Sequence, residues 1–295
     1  MSQFHPIKLP GGQKPVLLVV LAHPDDETFG TGGTLAMYAR RGVDVHLICA
    51  TRGEAGEADQ QYLEGYATVA ERRMDELRCA AGLLGLKSVI FLDYRDSGMQ
   101  GSPDNSHPRA LAAAPQDQVA SQIVEHIRRL RPQVVITFDP IGGYRHPDHI
   151  AIHLATVQAF ELAGKPEYSD PAGQPPHTPE KLYFHTMPHG FLRLMVKLMP
   201  LIGRDPHKFG KNGDIDLASI AEVNFPTHAR VNYRPVAQIR DDASACHASQ
   251  GGGRMRGGIF GPLQRLVASN DTYMRAFPPY QPGEPVERDL FQGIE

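Results

Sequence analysis

Apolar runs alternate with amphipathic stretches over the first half of the chain. Residues 16–22 form a continuous run rich in Val and Leu, which is typical of a strand buried on both faces of a parallel sheet. Residues 69–84 carry apolar side chains at helical spacing and are followed by Gly85, a residue type that ends many helices. Strands alternating with helices predict an α/β fold, with a mostly parallel, Rossmann-like sheet and helices on both faces. The predicted strands are residues 16–22, 43–50, 88–92 and 133–138, and the predicted helices are residues 34–41, 69–84, 116–130 and 147–162.

The regular alternation of apolar runs and amphipathic stretches ends in the second half of the chain. Residues 165–180 are rich in Pro, Gly, Ser and Asp and predict an exposed loop. We expect a single domain over residues 1–295, in which a core of residues 14–164 is continued by a C-terminal extension of residues 165–295. The extension is predicted to contain strands at 181–187 and 229–233, helices at 191–202 and 236–250, and a mobile glycine-rich segment at 251–261.

Composition narrows the class of protein. The 295 residues are 41% hydrophobic and carry a formal net charge of −3, so nothing favours a nucleic acid or an anionic membrane as partner. No apolar run is long enough to span a membrane, and the first residues lack a signal-peptide pattern, so we expect a cytoplasmic protein. Cys49, Cys79 and Cys246 are far apart and odd in number, which predicts buried, reduced thiols rather than disulfides.

Two short clusters of metal-ligand residue types follow two of the predicted strands. The sequence HPDDE occupies residues 23–27, after the first strand, and HPDH occupies residues 146–149, shortly after the fourth. Ligands of parallel α/β sheets bind beyond the carboxyl ends of the strands. Imidazole nitrogen and carboxylate oxygen are ligands that zinc favours. The two clusters therefore predict one metal site, assembled when the chain folds.

Catalytic zinc usually takes three protein ligands and keeps one position open. The simplest ligand set is His23, Asp26 and His149, a combination that zinc or ferrous iron accepts. Asp25 then lies beside the metal as general base, and His146 is placed to act as general acid or to stabilise an oxyanion. We expect Asp148 to hydrogen-bond His146 and to keep it protonated. The constellation predicts metal-assisted hydrolysis of a carbonyl compound.

The same residues allow other interpretations. His153 follows His149 by four residues and offers a helical HxxxH pair, and residues 30–33 (GTGG) resemble part of a nucleotide-binding loop. A metal-dependent phosphoester hydrolase would need clustered basic residues or a second metal, and only Arg52 and Arg145 lie near the two clusters. A non-catalytic sugar-binding protein with a structural metal would normally need four protein ligands.

At these residues the chain resembles the PIG-L/LmbE-type family of metal-dependent N-deacetylases. The resemblance covers roughly residues 16–160, with a weaker match at residues 247–250. It implies a Rossmann-like fold and hydrolysis of the N-acetyl group of N-acetylglucosamine-type sugars, usually with zinc. The matching stretches are AHPDDE at 22–27, TRGE at 51–54, DSGM at 96–99, HPDH at 146–149, and Arg73 with Glu76-Leu77.

The resemblance implies the same ligands and base, and adds Tyr144 as a residue that helps bind the carbonyl oxygen. Simpler interpretations remain for several other positions. In these interpretations Arg73 pairs with Asp75 or Glu76 on an exposed helix, Asp96 only stabilises its turn, and His247 is an ordinary helix residue. For Arg52 and Glu54 the simpler interpretation is that both are surface loop residues. The substrate-binding positions that the resemblance implies are Arg52, Glu54, Arg73, Asp96 and Met99.

The substrate is expected to be a small N-acetylated amino-sugar conjugate. Residues 93–99 and the following PDN look closest to enzymes that act on sugar-based low-molecular-weight thiols or their precursors. The loop 95–115 is placed to line the pocket for the group attached to the sugar. Arg145 either favours an anionic group there or faces solvent. A homo-oligomer is expected only because such assemblies are common.

Overall fold

Seven strands form one sheet in the computed structural model, which describes residues 4–170, 172–186, 189–208, 213, 216–253 and 269–294. The strands are β1 (Val16–Leu21), β2 (Asp44–Thr51), β3 (Ser88–Tyr94), β4 (Val134–Phe138), β5 (Lys181–Thr186), β6 (Ala229–Asn232) and β7 (Asn270–Phe277). Their order across the sheet is β3-β2-β1-β4-β5-β7-β6.

The first five strands are parallel, as the sequence predicts. β1 pairs with β2 on one side and with β4 on the other, so the strand order reverses between β1 and β4. In such sheets the crevice at the reversal is the usual ligand site. The two clusters of metal-ligand residue types, at residues 23–27 and 146–149, follow β1 and β4, so the topology brings them to this crevice.

Helix-end signals explain the bounds of the helix that was predicted at residues 69–84. The second long helix begins after Thr68, whose side chain accepts the Glu71 N–H, and ends at Gly85 with φ of 80°. Both are standard helix-end devices and explain why residues 69–84 were predicted without error. The helices are α1 (Asp26–Phe29), α2 (Gly32–Arg40), α3 (Val69–Leu84), α4 (Gln116–Leu130), α5 (Gly142–Arg145), α6 (Pro147–Ala163), α7 (His189–Leu198), α8 (Leu217–Glu222) and α9 (Ala237–Cys246).

The C-terminal extension joins the same sheet. β5 continues the parallel layer, and β7 pairs antiparallel with both β5 and β6. This sheet supports the single-domain organisation, which stays a prediction. The predicted helix 236–250 ends earlier, at Cys246, and is followed by a short 3-10 turn. Residue 187 and residues 254–261 of the segment predicted as mobile lie outside the described residues. In the described part of the chain, every helix is too short or too polar to cross a bilayer.

The expectation of three reduced cysteines is wrong for two of them. Cys79 on α3 and Cys246 at the end of α9 form a disulfide between positions 167 residues apart. Spacing did not indicate the pair, because only the packing of α9 against α3 brings the two helices together. Cys49 on β2 is buried and free, as expected.

Candidate metal centre

The loop after β1 and the first turn of α6 face each other at the crevice between β1 and β4. His23 lies two residues beyond β1, Asp26 begins α1, and His149 is the third residue of α6. Pro147 occupies the first helical position of α6, where its missing N–H costs no hydrogen bond. His149 therefore points back toward the end of the sheet, and the structure brings the three predicted ligands together.

Their donor atoms form a compact triangle. His23 Nδ1 lies 3.2 Å from His149 Nε2 and 3.6 Å from Asp26 Oδ2, and His149 Nε2 lies 3.4 Å from Asp26 Oδ1. Ligands of a tetrahedral zinc ion are separated by about 3.3 Å, given metal–nitrogen distances of about 2.0–2.1 Å. The spacing of these three side chains fits one small divalent cation.

Each ring also contacts a hydrogen-bond acceptor through its outer nitrogen. His23 Nε2 faces the Asp148 carboxylate at 3.0 Å, and His149 Nδ1 faces the Gly142 carbonyl at 3.2 Å. Both partners are acceptors, so each ring places a proton on that outer nitrogen. Burial opposes charge on His23, but Asp96, Asp148 and Asp26 raise its pKa well above the usual range, so Nδ1 carries a second proton until a cation takes its place. Burial and the neighbouring His23 lower the pKa of His149 well below its usual range, which keeps the ring neutral.

Asp25 lies beside the triangle in a constrained backbone conformation. Its φ of 127° is one that residues other than glycine rarely adopt. Its Oδ2 accepts a hydrogen bond from Arg73 Nη2 at 3.2 Å, and its N–H donates to Glu27 Oε2 at 3.0 Å. Burial raises the pKa of Asp25 to about 7, although Arg73 opposes the shift. A carboxylate with a pKa near neutrality suits a general base.

His146 and Tyr144 close the other side of the cluster. The His146 ring centroid lies 4.5 Å from that of His23, and its Nδ1 accepts the Asp148 N–H at 3.1 Å. Burial and the two neighbouring histidines lower the pKa of His146, so the expectation that Asp148 keeps this ring protonated is wrong. The Tyr144 ring stands edge-on to His149 with centroids 4.9 Å apart. Burial, then the nearby Asp26 and Asp25, raise the pKa of its hydroxyl well above the usual range, so it remains a proton donor.

The Asp148 side chain does not bond His146, the partner that the sequence analysis predicts. The Asp148 carboxylate contacts His23 Nε2 and accepts hydrogen bonds from the backbone N–H and the hydroxyl of Ser97. Only the backbone N–H of Asp148 reaches His146. Because Asp148 is the second residue of α6, its side chain turns toward β1 and the loop after β3. Asp148 therefore orients a predicted metal ligand, not the predicted acid.

Arg73 is not an exposed helix residue paired with Asp75 or Glu76. It is 4% exposed and donates to the Pro24 carbonyl at 2.8 Å and the Gly53 carbonyl at 3.1 Å, besides its contact with Asp25. The ion pairs along α3 are made by its neighbours, Arg72 with the buried Glu76 and, at the surface, Arg78 with Asp75. Arg73 thus ties the loops after β1 and β2 together, and its predicted contact with the sugar stays a prediction.

Asp96 belongs to the cluster and also caps its own turn. Its Oδ1 lies 3.4 Å from His23 Nε2 and accepts the Gly98 N–H at 2.8 Å. Burial alone would raise the pKa of Asp96, but His23, the Gly98 N–H and Arg73 lower it well below the usual range. Asp96 is therefore a fixed negative charge next to a predicted metal ligand.

The remaining predicted substrate residues lie in loops around this core. Glu54 Oε2 accepts the backbone N–H of Asp96 at 3.0 Å, so it holds the loop after β3. Arg52 pairs with Asp93 at 2.5 Å, and the Met99 carbonyl accepts from Asn105 at 3.1 Å. Arg145 is exposed and donates to Ser219 at 2.9 Å. Roles in substrate binding stay predictions for these residues.

Two alternative interpretations are not supported. His153 Nδ1 bonds the Phe138 carbonyl at 2.8 Å and its ring packs on Phe184, so it is a core histidine. The glycines at residues 30–33 serve packing, since a Cβ on Gly33 would lie 2.1 Å from Cγ of Tyr233.

Three residues of the site were missed. Glu27 and His247 are fully buried and bonded to each other, with His247 Nε2 2.6 Å from Glu27 Oε1. Ser97 holds Asp148, as described above. For Glu27 the signal was its place in the HPDDE motif, and for His247 it was the weak match at residues 247–250. His247 is thus not an ordinary helix residue.

Sequence comparison identifies the family. The profile described as GlcNAc-PI de-N-acetylase (PIG-L) matches residues 18–160. A 1D-myo-inositol 2-acetamido-2-deoxy-alpha-D-glucopyranoside deacetylase from Rhodococcus jostii (strain RHA1) is 38% identical over 243 residues, which cover 79% of this chain and 81% of that protein. The chain belongs to the PIG-L family. The resemblance seen in its motifs is confirmed, and membership makes the protein a hydrolase of the N-deacetylase class.

Solved structures share the fold of this PIG-L family member. An N,N'-diacetylchitobiose deacetylase from Pyrococcus horikoshii superposes with a TM-score of 0.61 at 20% identity, covering 90% of this chain and 85% of that one. A 4-carboxy-2-hydroxymuconate hydratase from Pseudomonas putida KT2440 gives 0.60 at 20% identity, covering 92% and 100%. Because a hydratase shares the fold equally well, the fold does not define the reaction, and the site must.

Proposed function

We propose that this protein is a metal-dependent amidohydrolase that removes the N-acetyl group from an N-acetylglucosaminyl conjugate. His23, Asp26 and His149 hold the metal ion, and Asp25 is the general base. His146 and Tyr144 act on the carbonyl group of the amide, and Asp148 orients His23. Membership of the PIG-L family and the distances between these side chains both support these assignments.

One observation carries the metal assignment. The inner nitrogens of His23 and His149 are 3.2 Å apart, and Asp26 oxygens lie within 3.6 Å of them. Carboxylates of Asp26, Asp96 and Asp148 also surround the His23 ring, and against the effect of burial they raise its pKa well above the usual range. A site that stabilises positive charge at these nitrogens suits a divalent cation in place of the His23 proton. The donor set therefore fits a divalent metal.

The chain's own groups account for the proton transfers. A divalent ion held by these ligands supplies Lewis acidity toward a water molecule and the amide carbonyl. Asp25 takes a proton from the attacking water, and Arg73 keeps its carboxylate oriented. The Tyr144 hydroxyl and His146 face the same space and stabilise negative charge on the carbonyl oxygen. The nitrogen of the departing amine receives that proton from Asp25 before it leaves, because the lowered pKa of His146 keeps its ring neutral.

The finer substrate assignment comes from the relatives. The Rhodococcus jostii protein is named for a GlcNAc linked to inositol, and the chain covers four-fifths of its length. We propose the same kind of substrate here, with the loop 95–115 lining the pocket for inositol. In the structure this loop is anchored by Arg95 to Asp104 at 2.7 Å and by Asn105 to the Met99 carbonyl at 3.1 Å.

Several further properties stay proposals. Zinc is the proposed metal, and a site of two histidines and one aspartate also accepts ferrous iron. A cytoplasmic location is proposed, and the Cys79–Cys246 disulfide is the observation that speaks against it, because disulfides rarely persist in reducing compartments. A homo-oligomer and a single domain remain expectations.

The experiment combines metal analysis with a deacetylation assay. Purified protein is loaded with zinc or iron and offered GlcNAc-inositol, GlcNAc and N,N'-diacetylchitobiose, and the free amine released is measured. We expect one ion per chain and turnover of GlcNAc-inositol. His149→Ala should lose the metal, whereas Asp25→Asn should keep it and lose about 10³-fold in kcat.

Other outcomes separate the alternatives. Two tightly bound ions together with hydrolysis of a phosphoester would favour the phosphoester hydrolase. Sugar binding without turnover in the metal-loaded protein would favour a binding protein with a structural metal. Full activity of Asp25→Asn would overturn the assignment of the base.

A further inference from the structure

A segment far along the chain is tied to the loop that carries Asp25. His247 follows α9, is 0% exposed, and places Nε2 2.6 Å from Glu27 Oε1. The other oxygen of Glu27 accepts the backbone N–H of Asp25 at 3.0 Å. The three groups form one buried chain of hydrogen bonds, from His247 through Glu27 to the main chain of Asp25.

Asp25 is a residue whose backbone needs such support. Its φ of 127° and ψ of −28° lie outside the regions that non-glycine residues favour. Conformations of this kind persist only where the surroundings over-determine them. The Asp25 carbonyl accepts the N–H groups of Thr28 and Phe29, both at 3.0 Å. At its N–H side, the acceptor is Glu27, and His247 fixes the orientation of that carboxylate.

The same C-terminal segment is also fixed to α3. Ser249 donates from its backbone N–H and its hydroxyl to the two oxygens of Glu76, at 2.9 Å and 2.7 Å. α3 carries Arg73, which bonds the Asp25 carboxylate. The segment after α9 therefore contacts both elements that hold Asp25, one through the main chain and one through the side chain.

We propose that His247 is a positioning residue, which sets the backbone of the general base Asp25 through Glu27. The inference rests on the proposed function, because it takes Asp25 as the base. His247 is fully buried and acts at a distance from the substrate. Its effect is on the placement of the Asp25 carboxylate relative to the attacking water. Misplacement of a reacting group by about 1 Å can lower a rate by about 100-fold.

The test compares His247→Leu with His247→Gln in the zinc-loaded protein. Leucine fills the space without a donor, whereas the glutamine amide nitrogen reaches the position of His247 Nε2. For His247→Leu we expect kcat to fall about 10- to 100-fold, with KM and metal content unchanged. His247→Gln should stay within about threefold of the wild-type kcat, because it restores the hydrogen bond to Glu27.

A second readout does not depend on activity. Hydrogen exchange of the peptide spanning residues 22–29 should be faster in His247→Leu than in wild type or His247→Gln, because Asp25 N–H loses a fixed acceptor. The matched control is Tyr183→Phe, which removes a buried donor to a buried carboxylate, Glu287, elsewhere in the fold. It should lower stability without changing kcat or exchange in this peptide.

The outcomes are separable. If the wild-type protein has no deacetylase activity, the proposed function fails, and the exchange data still decide whether His247 fixes the Asp25 loop. If the wild type is active and His247→Leu keeps its kcat and its slow exchange, the positioning role is wrong. A His247→Gln variant that folds but is as slow as His247→Leu would also overturn it. If His247→Leu does not fold, His247→Asn replaces it, because the shorter asparagine side chain does not reach Glu27. The changes in kcat and hydrogen exchange expected for His247→Leu then apply to His247→Asn.

Discussion

His23 Nδ1 and His149 Nε2 lie 3.2 Å apart, and oxygens of the Asp26 carboxylate lie 3.4–3.6 Å from them. Against the effect of burial, Asp96, Asp148 and Asp26 raise the pKa of His23 well above its usual range. The folded protein therefore stabilises positive charge at this position, which a bound divalent ion supplies in place of a proton. Metal affinity and fold stability are therefore coupled through these three side chains.

Removal of the metal should consequently destabilise the protein. A ligand present at about 1,000 times its Kd stabilises the folded state by about 4 kcal/mol. We expect a chelator to lower the melting temperature of the zinc-loaded wild type by several degrees. His149→Ala should show no chelator effect, since it cannot bind the ion. Equal chelator shifts in the two proteins would place the metal elsewhere.

Asp148→Asn distinguishes the observed partner of Asp148 from the one expected from the sequence. The carboxylate orients His23, so the variant should lower zinc affinity by about 10- to 100-fold, as loss of such supporting groups does. Activity should recover when zinc is raised to saturation. If Asp148 instead served His146, affinity would be unchanged and kcat would stay low at saturating zinc. Competition with a zinc chelator of known affinity measures the difference.

Local signals explain which parts of the fold were predictable. α3 was predicted at its observed bounds because Thr68 and Gly85 mark its ends within the sequence itself. β7 was missed, because residues 270–277 contain no continuous apolar run and the strand is defined by pairing with β5 and β6. The Cys79–Cys246 bond was missed for the same reason, since its partners meet only in the tertiary structure.

The site, like the fold, contains residues that the sequence predicts and contacts that it does not. The three donors of the triangle were predictable, because both clusters follow parallel strands whose carboxyl ends must meet at one edge. The supporting contacts were not. Whether Asp148 faces His23 or His146 depends on how α6 sits against β1, and Glu27 meets His247 across 220 residues of chain.

His185 should make stability depend on pH. Burial lowers its pKa to about 4 from an ordinary value near 6.5. The unfolded chain therefore binds a proton more readily than the folded protein between these values. Stability from this group is complete above pH 6.5 and is lost as the pH falls toward 4. We expect a loss of about 2 kcal/mol, allowing for partial exposure of the ring.

His185→Gln should remove this loss, so the wild type and the variant are compared by urea unfolding at pH 7 and pH 4.5. His207 provides a contrast of opposite sign, because the hydrogen bond to Asp216 raises its pKa. Stability from His207 is present at low pH and lost as the pH rises, so His207→Gln should not reduce acid sensitivity. Identical pH dependence of wild type and His185→Gln would contradict the prediction.

The Cys79–Cys246 bond should contribute to stability by restricting the unfolded chain. It joins residues 167 positions apart, and bonds that close long loops typically contribute about 2–4 kcal/mol. Reductant should lower the unfolding free energy of the wild type by this amount. The double variant Cys79→Ser with Cys246→Ser should match the reduced wild type and ignore reductant. A wild type insensitive to reductant under unfolding conditions would show that the bond does not form.

Gly53 should be required because Arg73 passes over it. A Cβ at this position would lie 2.2 Å from Arg73 Nη1, and the φ of 71° already disfavours other residues. Gly65, with φ of 84°, has nothing within 4 Å of such a Cβ. Gly65→Ala should therefore cost about 1 kcal/mol from the backbone alone. Gly53→Ala should cost a further 1–3 kcal/mol, roughly what overpacking of a buried site costs.

Gly53→Ala should also lower kcat, because displaced Arg73 releases the Asp25 carboxylate. Urea unfolding and steady-state kinetics of Gly53→Ala and Gly65→Ala, measured side by side, test both expectations. Equal unfolding free energies and equal kcat values in the two variants would show that the contact with Arg73 is not what makes Gly53 necessary.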